Sequence, residues 1–135
     1  SGGRLHRGKE RELVDDWIEQ LEIKVPTPAS AITTLSGGNQ QKVVMGRCLA
    51  RGPEVLILAE PTAGVDVGTR QAIYTLVGRL ADEGLSVIVT STDTTDLIAL
   101  CSRMVVLGDG RIVDELVGDA INEHNLLTSM EAGRR

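Results

Sequence analysis

Residues Leu35 to Gln41 have the sequence LSGGNQQ, and this stretch decides how the rest of the chain is interpreted. Ser36 stands where the N-cap of a helix is expected, two glycines follow it, and the run from Gln40 to Ala50 contains no helix breaker apart from Gly46. The start of such a helix offers a hydroxyl, unpaired backbone N–H groups and the positive end of a helix dipole, which together suit a phosphate. The glycines would let a ligand approach the backbone closely. Taken alone, the stretch is equally an ordinary N-cap with a flexible turn, since serine is a favoured cap.

The composition limits the class of protein. The 135 residues fit one domain, and 41% of them are hydrophobic, which is enough for a core. Trp17 and Tyr74 are the only aromatic residues, so there are no platforms on which bases could stack. The formal net charge is −5, whereas nucleic-acid binders depend on Lys and Arg facing phosphates. We therefore expect no nucleic-acid partner. Because the sequence has no run of about 18 apolar residues, we also expect a cytoplasmic protein.

Hydrophobic spacing predicts an α/β fold. Strands that alternate with helices imply a layer of parallel strands. The two apolar runs at 54–59 and 85–91 are short enough to be strands buried on both faces of a sheet. In chain order, the predicted elements are a helix over 9–22, a helix that ends before Pro53, a strand over 54–59, a helix over 67–84, a strand over 85–91, a short helix capped by Asp93, a hairpin turning at 108–110, and a helix within 118–130.

The second informative stretch is VLILAEPTAGVD, residues Val55 to Asp66. Its apolar run turns acidic at its end, as expected of a strand that delivers carboxylates to a phosphate site. The first position of the expected acidic pair is Ala59, however, and only the second, Glu60, is an acid. This alanine marks either a degenerate site or a deliberate substitution.

The order of these motifs resembles the second half of an ATP-binding cassette (ABC) ATPase domain. In particular, LSGGNQQKV is similar to the second nucleotide-binding half of the sugar-importer ATPases, which serve ribose, galactose, arabinose or xylose. The resemblance extends from about Lys9 to about Ile112. It implies a partial P-loop NTPase fold, in which residues 9–52 form the helical subdomain with the signature motif. Residues 53–135 would supply the C-terminal part of a mainly parallel sheet, and residues 1–8 a flexible lead-in or cloning remnant.

The resemblance also implies functional roles. In the family, the signature serine and the amides that follow it bind the γ-phosphate of ATP held by the opposite ATPase half; here these are Ser36, Gly37, Gly38 and Asn39.

Three further positions match family motifs. Glu60 matches the glutamate that follows the Walker B aspartate and acts as general base. Asp66 matches the D-loop, at the interface between the two ATPase halves, and Thr92 falls at the switch position that a histidine usually occupies. Two plainer interpretations stay open: Glu60 as a solvated acid at a strand end, and Asp66 as a helix cap.

The departures from the family are as informative as the matches. A Walker A motif, G-x-x-x-x-G-K-[ST], occurs nowhere in the 135 residues, and the Q-loop is also missing. Ala59 replaces the Walker B aspartate, so this half should hold Mg²⁺ poorly. Thr92 cannot shuttle a proton near pH 7, as a histidine could. His6 and His124 have no partners at ligand spacing, and we expect neither to bind a metal.

The resemblance implies ATP and Mg²⁺ as cofactors of the full-length protein, with none bound tightly by this chain. The implied partners are the other nucleotide-binding half, the membrane permease and, indirectly, a periplasmic sugar-binding protein, at the inner face of the membrane. Two alternatives remain: a degenerate module that keeps the fold only for docking, and a lobe of a DNA-repair or chromosome-maintenance ATPase. Ala59 favours the first, and the net acidity opposes the second.

Overall fold

The computed structural model describes residues 7–133. Its helices and strands, in chain order, are α1 (Arg7–Gln20), α2 (Gly37–Leu49), β1 (Val55–Ala59), α3 (Val67–Asp82), β2 (Ser86–Thr90), α4 (Thr94–Leu100), β3 (Arg103–Gly108), β4 (Arg111–Val117) and α5 (Glu123–Ala132). Short 3-10 turns occupy Ile32–Thr34 and Gly118–Ala120. The prediction of an α/β fold is confirmed.

The chain divides into two compact units. The first comprises the described residues up to Leu56 together with Thr62–Ser86, and the second comprises Ile57–Pro61 and the described residues from Val87 onward. The predicted lead-in over 1–8 falls mostly on residues outside the described part. Arg7 and Gly8 already belong to the first turn of α1.

In the first unit, α1 ends in a Schellman motif. The amide of Ile23 donates to the carbonyl of Ile18 (2.9 Å) and the amide of Glu22 to the carbonyl of Glu19 (3.0 Å). Glu22 takes the left-handed conformation, with φ 51°, where glycine is usual. The buried Lys42 of α2 donates from Nζ to the Glu22 carbonyl (3.2 Å), so a cation lies at the negative end of α1. The helix was predicted to end at Glu22; it ends at Gln20, and Glu22 belongs to the capping motif that follows.

Helix α2 has a glycine at the point where the residue after α1 approaches it. A Cβ at Gly46 would lie 2.9 Å from Cδ1 of Leu21, so the leucine side chain occupies the space that a side chain at position 46 would need. The helical spacing of Ile73, Leu76, Val77 and Leu80 predicts that these four side chains of α3 face inward. Ile73, Leu76 and Val77 are buried and Leu80 is half-buried, which agrees with the amphipathic pattern. The buried apolar residues of this unit are Leu21, Ile23, Met45, Leu49, Leu56, Ile73, Leu76 and Val77.

Strands β1 and β2 pair with each other. The amide of Ser86 donates to the carbonyl of Glu54 (3.3 Å) at the start of the pair. At its end, the amide of Glu60 donates to the carbonyl of Thr90 (2.8 Å). Because both strands advance in the same direction between these two bonds, the pair is parallel, as expected of strands joined by a helix.

The prediction that both strands are buried on both faces is wrong. Along β1, Leu56 and Leu58 are buried, whereas Ile57 is 68% exposed. Ile88 of β2 is likewise exposed. An unbroken apolar run indicates that both faces can be covered, but only one face of β1 is covered by the described residues.

The second unit contains a hairpin packed against two helices. Strands β3 and β4 are antiparallel, and Asp109 and Gly110 form the turn, both with positive φ. This confirms the predicted hairpin, because a two-residue turn of this type needs residues that tolerate that conformation. The C-terminal helix begins at Glu123 and not at Gly118, where a 3-10 turn precedes it. The core of the unit is Met104, Val106, Leu116 and Leu126, with Leu97, Ile98, Cys101, Ala120 and Ile121 packed against it.

Replacing Ile73 by alanine should destabilise the chain by about 2–5 kcal/mol, because the side chain is fully buried and leaves a cavity. Urea unfolding followed by circular dichroism measures the change in the free energy of unfolding. Val67→Ala on the same helix is the matched control, because Val67 is 84% exposed, and its effect should stay within about 0.5 kcal/mol. Equal effects of the two substitutions would contradict this packing.

Candidate functional site

Ser36 is the N-cap of α2, as predicted. Its backbone is extended, and its Oγ accepts hydrogen bonds from the amide nitrogen (3.4 Å) and the Nδ2 (2.9 Å) of Asn39. The Asn39 Oδ1 accepts in turn from the amide of Lys24 (2.8 Å), so the loop after α1 fixes the asparagine. Ser36 itself is exposed, so its hydroxyl can rotate and donate to a group on the solvent side. The cap is therefore built in advance and keeps one donor available.

The two glycines after Ser36 have different surroundings. A Cβ at Gly38 would lie 2.0 Å from Cγ2 of Thr69, whereas a Cβ at Gly37 would meet only the carbonyl oxygen of Gly64, at 3.7 Å. Glycine at position 38 is thus required by the approach of α3, which the sequence did not reveal. Gly37 is exposed. The amides of both residues belong to the first turn of α2, where a helix provides no acceptor for them.

Asp66 caps α3. Its Oδ1 accepts from the amide of Thr69 (3.0 Å), and its Oδ2 accepts from the Thr69 hydroxyl (2.7 Å). The side-chain hydrogen bond from Thr69, together with the bond from the Thr69 amide, lowers the pKa of Asp66 below its usual value. In this structure Asp66 makes the contacts of a helix cap, which was the plainer interpretation. It also fixes the threonine whose methyl group packs on Gly38.

Glu60 lies directly after β1 in a left-handed backbone conformation, with φ 49°. Its Oε1 accepts from the amide of Thr92 (2.8 Å), and its Oε2 lies 3.3 Å from the Thr92 hydroxyl. A second hydroxyl, that of Ser91, also donates to Oε2 (3.3 Å). The structure thus brings Glu60 and Thr92 together, and the glutamate is not merely a solvated acid at a strand end.

Ala59 is the exposed last residue of β1. Its methyl group cannot accept a hydrogen bond from metal-bound water, and the carboxylate beside it is occupied by donors from residues 91 and 92. Among the described residues, no three His, Cys, Asp or Glu side chains form a group able to hold a metal ion. At the position where the resemblance expects a carboxylate for Mg²⁺-bound water, this chain therefore offers none. His124 is exposed on α5, and His6 lies outside the described residues.

The candidate residues form two sets, one in each unit. Ser36, Gly37, Gly38 and Asn39 lie in the same unit as Asp66, whereas Ala59, Glu60 and Thr92 lie in the other. Sequence reasoning missed Thr69, Ser91 and Asp96. The polar run TSTDTTD at residues 90–96 was the signal in the sequence for the last two.

A family model described as ABC transporter matches residues 4–63. The chain is 46% identical over 125 residues to the ribose import ATP-binding protein RbsA 1 of Rhizobium johnstonii, covering 93% of this chain and 24% of that protein. It is 39% identical over 132 residues to the ribose import ATP-binding protein RbsA of Bacillus subtilis, covering 98% of this chain and 27% of the relative. The chain thus spans about a quarter of the length of these relatives.

Solved structures give the same result for the fold. A bacterial ABC transporter cassette solved as a dimer has a TM-score of 0.70 at 26% identity, with 85% of this chain and 50% of that chain covered. The ATP-binding cassette of another ABC transporter has a TM-score of 0.80 at 20% identity, covering 100% of this chain and 53% of the other. The fold matches, the motif order and the matched relatives agree. The chain belongs to the family of ATP-binding cassette ATPases.

Proposed function

We propose that this chain is the C-terminal part of the second ATPase half of a sugar-importer ATP-binding protein. It would supply the signature surface, Glu60 and the D-loop to a composite ATP site that drives transport. The ribose import proteins that it matches support the sugar-importer assignment. In this proposal residues 9–52 are the helical subdomain, and residues 53–135 contribute to the nucleotide-binding sheet. The observation that carries it is the state of Ser36, a preformed cap with an unused proton at an exposed helix start.

Ser36 and the following amides are suited to a phosphate held by another molecule. The first turn of α2 presents the amides of Gly37 and Gly38 at the positive end of the helix dipole, and the Ser36 hydroxyl can donate beside them. Asn39 holds the serine through two hydrogen bonds and so fixes the direction of its oxygen. A preorganised set of donors of this kind favours the γ-phosphate of ATP, which carries negative charge on exposed oxygens.

Glu60 is the proposed general base. Its carboxylate is held by the backbone amide and hydroxyl of Thr92, so its orientation depends on the loop after β2. A base must be positioned within hydrogen-bond reach of the water whose proton it takes. Thr92 would provide a hydrogen bond at the switch position, without proton transfer. Ala59 supplies no carboxylate for Mg²⁺, so in this proposal Glu60 and Thr92 act only on the attacking water and its hydrogen bonds.

The partners follow from the same proposal. The opposing nucleotide-binding half would hold ATP on its own Walker A motif, and the permease would bind the assembled pair. The periplasmic sugar-binding protein would act on the permease from the other side, and the ATPase would be a peripheral protein at the cytoplasmic face. None of the described helices is long and apolar enough to cross a membrane.

A docking module without a nucleotide role is the second candidate. Ala59 favours it, because the missing carboxylate concerns the metal that phosphoryl transfer requires. The two candidates differ in what they ask of Ser36. A docking module needs this serine only as a helix cap, whereas a composite ATP site needs its hydroxyl and the space around it.

The isolated chain should bind Mg-ATP weakly or not at all. The Walker A amides and lysine, which supply most contacts to the β and γ phosphates, do not occur in the 135 residues. Isothermal titration calorimetry with Mg-ATP tests this, with a cassette that contains a Walker A motif as the positive control. An affinity in the micromolar range would sink the idea that the nucleotide is held by the opposite half.

Ser36→Arg should abolish most ATP hydrolysis in a paired cassette while the fold is retained. We suggest a chimera in which this chain replaces the matching stretch of the Bacillus subtilis ribose import protein. The arginine fills the space in front of the first turn of α2, so we expect hydrolysis to fall at least about tenfold, as for loss of an electrostatic donor at a reacting phosphate.

Ser36→Ala and Thr128→Ala serve as comparisons for this variant. Ser36→Ala removes the cap and the donor without adding bulk, whereas Thr128 is an exposed residue of α5 outside the proposed site. Thermal unfolding of all three chimeras separates stability from turnover. Unchanged hydrolysis in Ser36→Arg, accompanied by a Tm lowered by several degrees, would make Ser36 a structural cap and favour the docking module.

A further inference from the structure

Ser91 lies between β2 and α4, half-buried, and its hydroxyl makes three hydrogen bonds. The oxygen accepts from the amide of Asp93 (3.0 Å). The hydroxyl also donates to two carboxylates, at 3.1 Å from Oδ2 of Asp96 and 3.3 Å from Oε2 of Glu60. These contacts all lie within the second unit.

A hydroxyl has one proton, so Asp96 and Glu60 share a single donor. Asp96 is 1% exposed and lies in the first turn of α4, which is itself capped by Asp93. The bond from the Asp93 amide fixes the Ser91 oxygen at the start of α4 whichever carboxylate takes the proton. The serine oxygen therefore has a fixed position, from which the hydroxyl can donate to the Glu60 carboxylate.

Glu60 needs such a support, because its backbone is in a region that non-glycine residues seldom adopt. Conformations of this kind persist only where surrounding contacts determine them. The Thr92 amide holds one carboxylate oxygen, and the two hydroxyls of Ser91 and Thr92 hold the other. The Ser91 oxygen is in turn held by the Asp93 amide at the start of α4.

We propose that Ser91 is a positioning residue for Glu60: the Asp93 amide fixes the serine oxygen, and the hydroxyl proton is shared between Glu60 and the buried carboxylate of Asp96. The Ser91 hydroxyl fixes the direction of Oε2, so that the carboxylate keeps one orientation when the Thr92 hydroxyl turns to another acceptor. The functional consequence rests on the proposed role of Glu60 as general base, whereas the positioning itself is a property of this chain alone.

The first test uses the isotope-labelled chain without nucleotide. In Ser91→Ala, the Thr92 amide should exchange its proton with solvent at least about tenfold faster, because the carboxylate that accepts from it is no longer held. Ser91→Thr keeps the hydroxyl and should restore the slow exchange. The control, Ser102→Ala, removes an exposed hydroxyl in the same unit and should leave the Thr92 amide unchanged. Amides of α5 should keep their rates in every variant.

The second test measures steady-state hydrolysis in the chimera with the Bacillus subtilis protein. Ser91→Ala should lower kcat about tenfold or more with little change in KM, and Ser91→Thr should recover it. Wild-type exchange at Thr92 in Ser91→Ala would overturn the positioning role. A chimera that hydrolyses no ATP even with Ser91 intact would instead count against the proposed function, while the exchange result would still decide the role of Ser91.

Discussion

The close approach of Gly38 to Thr69 is the contact on which the geometry of the signature region depends. The threonine methyl group occupies the space that a side chain at position 38 would need. The Asp66 carboxylate accepts from the amide and the hydroxyl of the same threonine, so the methyl group cannot turn away without breaking a cap. The start of α2 is therefore located by the start of α3, and any side chain at position 38 would separate them.

This contact gives Asp66 a role within its own chain. Asp66 acts on the signature helix through Thr69, and the bonds that hold Thr69 also lower the pKa of the Asp66 carboxyl. A cap of this kind is most effective while the carboxyl is ionised, so it weakens as the pH falls through its lowered folded-state pKa. The serine at the start of α2 is arranged in the same way, because Asn39 fixes it from one side and leaves its proton unused.

Local features were predictable from the sequence, since neighbouring residues encode them. The caps Ser36, Asp66 and Asp93 follow from side chains that accept from backbone amides within three residues, and the turn at Asp109 and Gly110 follows from residues that tolerate positive φ. Contacts between distant segments were not predictable in the same way. The demand for glycine at position 38 comes from Thr69, on a different helix.

The environment of Glu60 shows the same limit. Its position after an apolar run predicted an acid at a strand end, and the resemblance predicted a general base. Neither indicated Ser91, because the link between Ser91 and the buried Asp96 exists only once α4 has formed. The burial of β1 was mispredicted for a related reason. An apolar run indicates that both faces of a strand can be covered, but the fold determines which face is covered.

The central claim is that the start of α2 contacts a phosphate held by another cassette. A structure of the dimeric chimera with a non-hydrolysable ATP analogue tests it most directly. The account predicts the Ser36 hydroxyl and the Gly38 amide within about 3.2 Å of oxygens of the γ-phosphate bound to the opposite half. A dimer with nucleotide bound, in which only water or protein atoms surround these two groups, would contradict it.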